Sequence, residues 1–583
     1  MRERPYPPKS VPGLIAAAGL CATLAIPYPA IADETKPEIG RTLSGNYLAG
    51  RHAQAQRDLS RAADFLGAAL DKAPSSPDLI RRTFVLMVAE GRVKEAGPLA
   101  SKLVQMGNKV PMAPLTLAII DIRNGRFVEA DKRLGDLPAT GLVGFVAPVL
   151  RAWCLAGQNK SRKAMKILKA PVDHDAKRVL HTMHAALISE LLGNNEDAEK
   201  FYTSIHNGQT ELSLRMAQLL GALYERTGRK DKAQALYEKY LGQNPGSQLL
   251  DGALKRLKSG GGPTLKTFSI SEGAAEVLFG IASSLRQKNG QQTALMLGRL
   301  ALYLKPEFPV MQILLGDVLE TANRLEPALE LYQSIRRNSA FSWPARLRVA
   351  VLLGRLNRHE DAIRHLDAMA GDQPEDPGPL INMGDILRGQ ERFEEAVEAY
   401  DRAFERIRTL KPHHWTLLYA RGIALERSKQ WPRAEADFLS ALKFKPDQPY
   451  VLNYLGYSWI DKGLYLDRAQ AMIGKAANLR PNDGYVIDSL GWGHYKLGKY
   501  KKAVLELERA VELRPQDPVI NDHLGDAYWR VGRRREARFQ WNRSLSLDPE
   551  EKLIGEITRK LKSGLESGGS ENSAKAKKNR DDG

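Results

Sequence analysis

The sequence predicts an all-α fold: a solenoid of helix-turn-helix units laid out in two blocks. Three observations predict it. A set of small and turn residues recurs every 34 positions. The apolar residues between them fall on helical faces. The composition is that of a globular chain rich in helix formers, with 43% hydrophobic, 26% charged and 7% aromatic residues among 583. Length alone would allow about four average domains, but an internal repeat takes precedence over a domain count.

The first element is a leader rather than part of the fold. Arg2, Arg4 and Lys9 precede an apolar run from Val11 to Ile26, which is short and flanked by proline. Ala30-Ile31-Ala32 follows as a small-x-small cleavage site, which makes Asp33 the expected mature N-terminus. We read 1–32 as a cleavable secretory signal peptide and expect a periplasmic protein. Cys21 raises a lipoprotein reading, but Leu20 stands where lipidation needs a small residue. An outer-membrane anchor is therefore the minor reading, and membrane association is expected only through lipidation or a partner. After cleavage Cys154 is the sole cysteine, so no intramolecular disulfide is available.

The repeat is clearest in "SLGWGHYKLGKYKKAVLELERAVELRP", Ser489 to Pro515. Leu490-Gly491 recurs at Leu524-Gly525, Gly498 at Gly532, Ala503 at Ala537 and Pro515 at Pro549. Gly491 lets a second helix approach the first. Gly498 suits a turn that needs positive φ. Ala503, Leu507 and Ala510 share one helical face. Pro515 stops the second helix, since it lacks an N–H and its ring blocks continuation.

This pattern resembles the tetratricopeptide repeat (TPR), which implies a right-handed superhelix of helical hairpins. Units are expected to start near Leu43, Pro77, Pro111, Val143, Val179, Leu214, Gly273, Pro309, Trp343, Pro377, Trp415, Pro449, Gly484 and Pro518. The organisation then reads 33–42 as a mature N-terminal segment, 43–247 as about six units, and 248–272 as a linker or hinge. The linker carries Gly260, Gly261, Gly262 and Pro263. About eight further units fill 273–551, a cap helix covers 552–565, and a polar tail runs from 566 to 583.

Catalytic chemistry is not visible, so we expect no enzyme, no metal and no cofactor. His181 and His184 have i, i+3 spacing but no third ligand beside them. Ser489 lies outside any nucleophile elbow, and no phosphate-binding loop occurs. The net charge of +18 is spread along the chain, which suits a solvated helical surface and argues against nucleic acid.

The TPR resemblance implies a concave face built from set positions of each first helix. Carried onto the last three units, these give Tyr450, Asn453, Tyr457, Tyr485, Asp488, Trp492, Tyr495, Lys496, Asp522, Asp526, Trp529 and Arg530 as the protein-binding groove. Tyr and Trp beside charges are typical interface anchors, though some of the rings could equally complete the hairpin core. The stretches "YLGYSWIDKGLYLDRAQAMI", "NDGYVIDSLGWGHYKLG" and "INDHLGDAYWRVGRRREARFQW" resemble long envelope TPR proteins of proteobacteria. That group includes outer-membrane adaptors of periplasmic carboxy-terminal processing proteases. The resemblance implies a cell-envelope scaffold for other proteins, such as a protease and peptidoglycan hydrolases. A basic superhelix binding an anionic polysaccharide or lipopolysaccharide is the alternative.

Overall fold

A computed structural model describes residues 39–565, apart from 108–109, 173–174, 208–210, 246, 262–267 and 286–289. The segments expected as leader, 1–32, and as polar tail, 566–583, lie outside the described residues. Thirty α-helices and no strand occur among those described. Fourteen antiparallel pairs make up the solenoid, with Asp251–Lys258 and Glu551–Ser563 as the two additional helices. Asp251–Lys258 falls inside the segment read from sequence as a linker.

The unit Gly484–Lys496 and Tyr500–Leu513 shows why these residues fold this way. The Asp483 side chain caps the first helix by accepting from the Tyr485 N–H at 3.2 Å. A Cβ on Gly491 would lie 2.6 Å from Leu507 Cγ, so only hydrogen fits there. Gly498 turns the chain with φ of 71°. The Lys499 N–H closes the turn on the His494 carbonyl at 2.9 Å. Ala503, Leu507 and Ala510 are fully buried, each fully buried leucine of this kind contributing about 1.5–3 kcal/mol. Leu490 stays half-buried, whereas its equivalents Leu455 and Leu524 are buried.

The left-handed turn does not require glycine in every unit. Asn323, Asn357, Glu391 and Lys429 adopt the same positive φ after their first helices. The turn geometry is common to these hairpins, while the glycine signal is missing at those four.

Two compact units divide between His365 and Leu366. Within the N-terminal unit, helices on both sides of the segment 248–272 pack together. The hairpin that follows the glycine-rich segment folds back on earlier first helices. Helix Ile270–Ser284 packs on Gly141–Gly157 and Asp175–Leu191, and Gln291–Leu304 packs on Pro77–Ala89 and Met112–Arg123. Gly273 makes this possible, because a Cβ there would sit 2.2 Å from the Trp153 ring. Polar contacts seal the same seam. Arg324 pairs with Glu90 at 2.8 Å, with both side chains under a tenth exposed. Arg123 donates to the Leu304 carbonyl at 2.9 Å, and Arg215 pairs with Glu276.

The seam also absorbs the histidine pair. His184 Nδ1 accepts from Trp153 Nε1 at 3.0 Å in the core, and burial lowers its pKa to about 3. His181 is buried beside it. Cys154 is buried as well, and burial pushes its thiol up to about 12.

Candidate protein-binding face of the C-terminal unit

The first helices Pro449–Lys462, Gly484–Lys496 and Pro518–Arg530 position the candidate residues. Packing of successive first helices on one another lines up the faces they share.

The centre is an aromatic stack. Trp492 lies parallel to Tyr495, with ring centroids 4.6 Å apart and planes 6° from parallel. His523 stacks on the same indole at 3.9 Å and 14°. His523 Nδ1 donates to Asp488 Oδ1 at 2.9 Å, and both side chains are almost wholly buried. Burial alone would lower the His523 pKa, but the Asp488 charge and hydrogen bond outweigh it and raise it. Trp492 and Tyr495 remain half-buried, so part of each ring meets solvent. Burial pushes the Tyr495 hydroxyl up in pKa, with Asp526 adding to it. Arg530 Nε donates to that hydroxyl at 3.3 Å.

The flanking positions behave in two ways. Tyr450, Tyr457 and Tyr485 are half-buried. Lys496 is exposed and pairs with Asp461 at 3.3 Å. Asn453, by contrast, is a buried link between helices, donating from Nδ2 to Ser489 Oγ at 3.1 Å. Asp488 is likewise buried and engaged.

The last unit departs furthest from an open groove. Helix Glu551–Ser563 lies against it and inserts Lys560. Lys560 Nζ donates to both Asp522 oxygens, at 2.9 and 2.7 Å, and to Asp526 Oδ2 at 2.8 Å. Asp526 Oδ1 also accepts from Trp541 Nε1 at 2.9 Å. All three charged residues are buried, so Asp522 and Asp526 hold the terminal helix and are not free for a partner. Burial and the Asp526 charge raise the Asp522 carboxyl above its usual range, with Lys560 opposing. Trp529 is half-buried against Trp541, with ring centroids 5.3 Å apart, and beneath Gly564.

Sequence positions alone did not single out His523, Ser489 or Lys560. His523 neighbours an expected groove position, but its stacking depends on the offset between units. Lys560 shares a helical face with Ile557 and Leu561, a spacing that does mark an inward-facing lysine. Among the described residues no group of three His, Cys, Asp or Glu side chains could hold a metal. No described helix is long and apolar enough to cross a membrane.

Tetratricopeptide-repeat family profiles match 214–247, 381–449 and 494–532. These three segments carry tetratricopeptide repeats. Its sequence is 28% identical over 190 residues to the TPR repeat-containing protein PA4667 of Pseudomonas aeruginosa, covering 32% of this chain and 31% of that protein. It is also 28% identical over 226 residues to the tetratricopeptide repeat-containing protein trd-1 of Caenorhabditis elegans, covering 39% and 27%. The chain thus spans about a third or less of the length of these curated relatives. Among solved structures, the Cut9–Hcn1 hetero-tetramer of the APC/C is similar at 16% identity and TM-score 0.37, covering 91% of this chain and 97% of that one. YrrB, a TPR protein with an unusual peptide-binding site, is similar at 19% identity and TM-score 0.26, covering 33% and 97%. The repeat fold is that of a protein-interaction scaffold, an architecture that is typically non-catalytic.

Proposed function

We propose that this TPR protein is a non-catalytic scaffold of the bacterial cell envelope that binds partner proteins on the first-helix face of its C-terminal unit. The observation that carries the reading is the half-open stack of Tyr495, Trp492 and His523, pinned from behind by Asp488. Rigid, partly exposed aromatics set on buried polar supports have the character of interface anchors. The N-terminal unit supports the assignment by contrast, because four of its first helices are covered by the chain's own hairpin. The leader-like segment 1–32 supports a periplasmic location. The sequence resemblance to long envelope TPR proteins extends the proposal to bridging a periplasmic processing protease and cell-wall hydrolases.

Crosslinking in the native periplasm followed by affinity capture tests this reading. The full chain is expected to enrich an envelope protease or wall enzyme. Trp492→Ala is expected to lose that enrichment at least tenfold while keeping its helical circular dichroism. Equal capture by Trp492→Ala refutes the assigned face. Recovery of no envelope partner above a secreted control refutes the scaffold role.

A further inference from the structure

Three consecutive units of the C-terminal unit repeat one arrangement that the aromatic stack does not use. In each, a cation immediately before the closing proline lies over an aromatic ring in the first turn of that unit's first helix. Lys445 covers Trp415 at 5.4 Å, Arg480 covers Tyr450 at 5.3 Å, and Arg514 covers Tyr485 at 4.9 Å. All three cations are exposed and all three rings are half-buried. None of the cations has a carboxylate within 4.0 Å among the described residues. The rings hold the cationic heads in place, which lowers the entropy a ligand must remove.

The series stops after three. The preceding unit offers Gly378, Pro379 and Leu380 in its first turn, and the following one offers Pro518, Val519 and Ile520. Asp548 stands at the corresponding position in the last unit. An aspartate follows each cation two or three positions along the chain, and each is engaged. Asp483 caps Tyr485, Asp517 caps Val519 and Ile520, and Asp447 pairs with Lys475.

We propose that Lys445, Arg480 and Arg514 form a docking rim for an extended acidic peptide segment of a partner protein. The proposal rests on the scaffold reading above and names the chemistry of one partner segment. Packed helices lie roughly 8–10 Å apart, and an extended chain advances about 3.3 Å per residue. Acidic residues at about every third position therefore meet successive cations. A short rim whose cations are each followed in the chain by an engaged carboxylate favours such a spaced peptide. A uniformly charged polysaccharide would face those carboxylates without relief.

Fluorescence anisotropy with the full chain and fluorescein-labelled (Glu-Gly-Ser)3 tests it, with (Gln-Gly-Ser)3 and (Lys-Gly-Ser)3 as controls. The Glu peptide is expected to saturate at low ionic strength and the controls are not. Each of Lys445→Gln, Arg480→Gln and Arg514→Gln is expected to weaken binding about two- to fivefold, as for exposed charge pairs, and the triple variant more than tenfold. Equal binding of Glu and Gln peptides overturns the rim without reliance on any variant. So does undiminished binding by a folded triple variant. Tighter, rim-dependent binding of polygalacturonate overturns the choice of a peptide. Absence of peptide binding together with Trp492-dependent partner capture removes the rim alone; rim-dependent peptide binding with capture unaffected by Trp492→Ala removes the aromatic face alone.

Discussion

Replacing Lys560 with methionine is the most discriminating single change. The substitution keeps a long apolar stem and removes the ammonium that three carboxylate contacts of 2.7–2.9 Å converge on. Asp522 and Asp526 are 4% and 5% exposed, so water cannot replace the lost donor. Breaking a buried ion pair by removing one partner costs about 3–5 kcal/mol, because a charge is left buried and unpaired. In a solenoid this cost is local, since each unit is held by its neighbours. We expect faster hydrogen exchange in Glu551–Ser563 and Pro518–Arg530, with the helices before Leu479 unaffected. The loss is also pH-dependent. The folded Asp522 pKa lies above the ordinary carboxylate value of 3.8 through burial and Asp526 repulsion. A raised carboxyl favours the folded state when protonated, and that advantage fades as pH rises through the folded pKa. Removing Lys560 raises it further, so the deficit of the variant is largest near neutral pH and shrinks on acidification. Thermal unfolding followed at several pH values reads this directly. A variant within about 0.5 kcal/mol of the parent, a surface-like effect, or a deficit independent of pH, refutes the buried-triad reasoning.

Three further predictions concern stability. Asp488→Asn removes the charge that raises the His523 pKa. That pair stabilises fully below the ordinary histidine value and is lost as pH rises through the raised one, so the parent's advantage in melting temperature over the variant should be larger at pH 6 than at pH 8.5. Lys429→Gly relieves a left-handed residue with φ of 64°; the gain should be about 0.5–1 kcal/mol in denaturant unfolding, after the added chain entropy of glycine. Arg324→Met leaves Glu90 buried and unpaired in the N-terminal unit; a loss of about 3–5 kcal/mol is expected, and adding Glu90→Gln should recover much of it.

The hairpins were legible because their determinants are local. Gly491 against Leu507, the Gly498 turn, and the Ala503–Leu507–Ala510 face all lie within one 34-residue stretch, so spacing alone exposes them. The turns at Asn323, Asn357, Glu391 and Lys429 were hidden for an energetic reason. A left-handed cost of about 1–2 kcal/mol per residue is tolerable inside a packed hairpin, so these turns accommodate residues other than glycine.

The candidate face divides along the same line. Its aromatics could be placed on first helices, but a ring at a groove position can point outward or close the core. Tyr450, Tyr457, Tyr485, Trp492 and Tyr495 keep solvent contact, while Asn453 and Asp488 are drawn into links with the next unit.

By itself the sequence determined a chain of stacked helical hairpins, since period, turn and small-residue spacing act between near neighbours. Only the tertiary structure decided which faces stay open. Lys560 reaches back 38 and 34 residues to Asp522 and Asp526, and Arg324 reaches back 234 to Glu90. Such pairings depend on the accumulated twist and offset of the intervening repeats, a geometric sum that no single repeat carries.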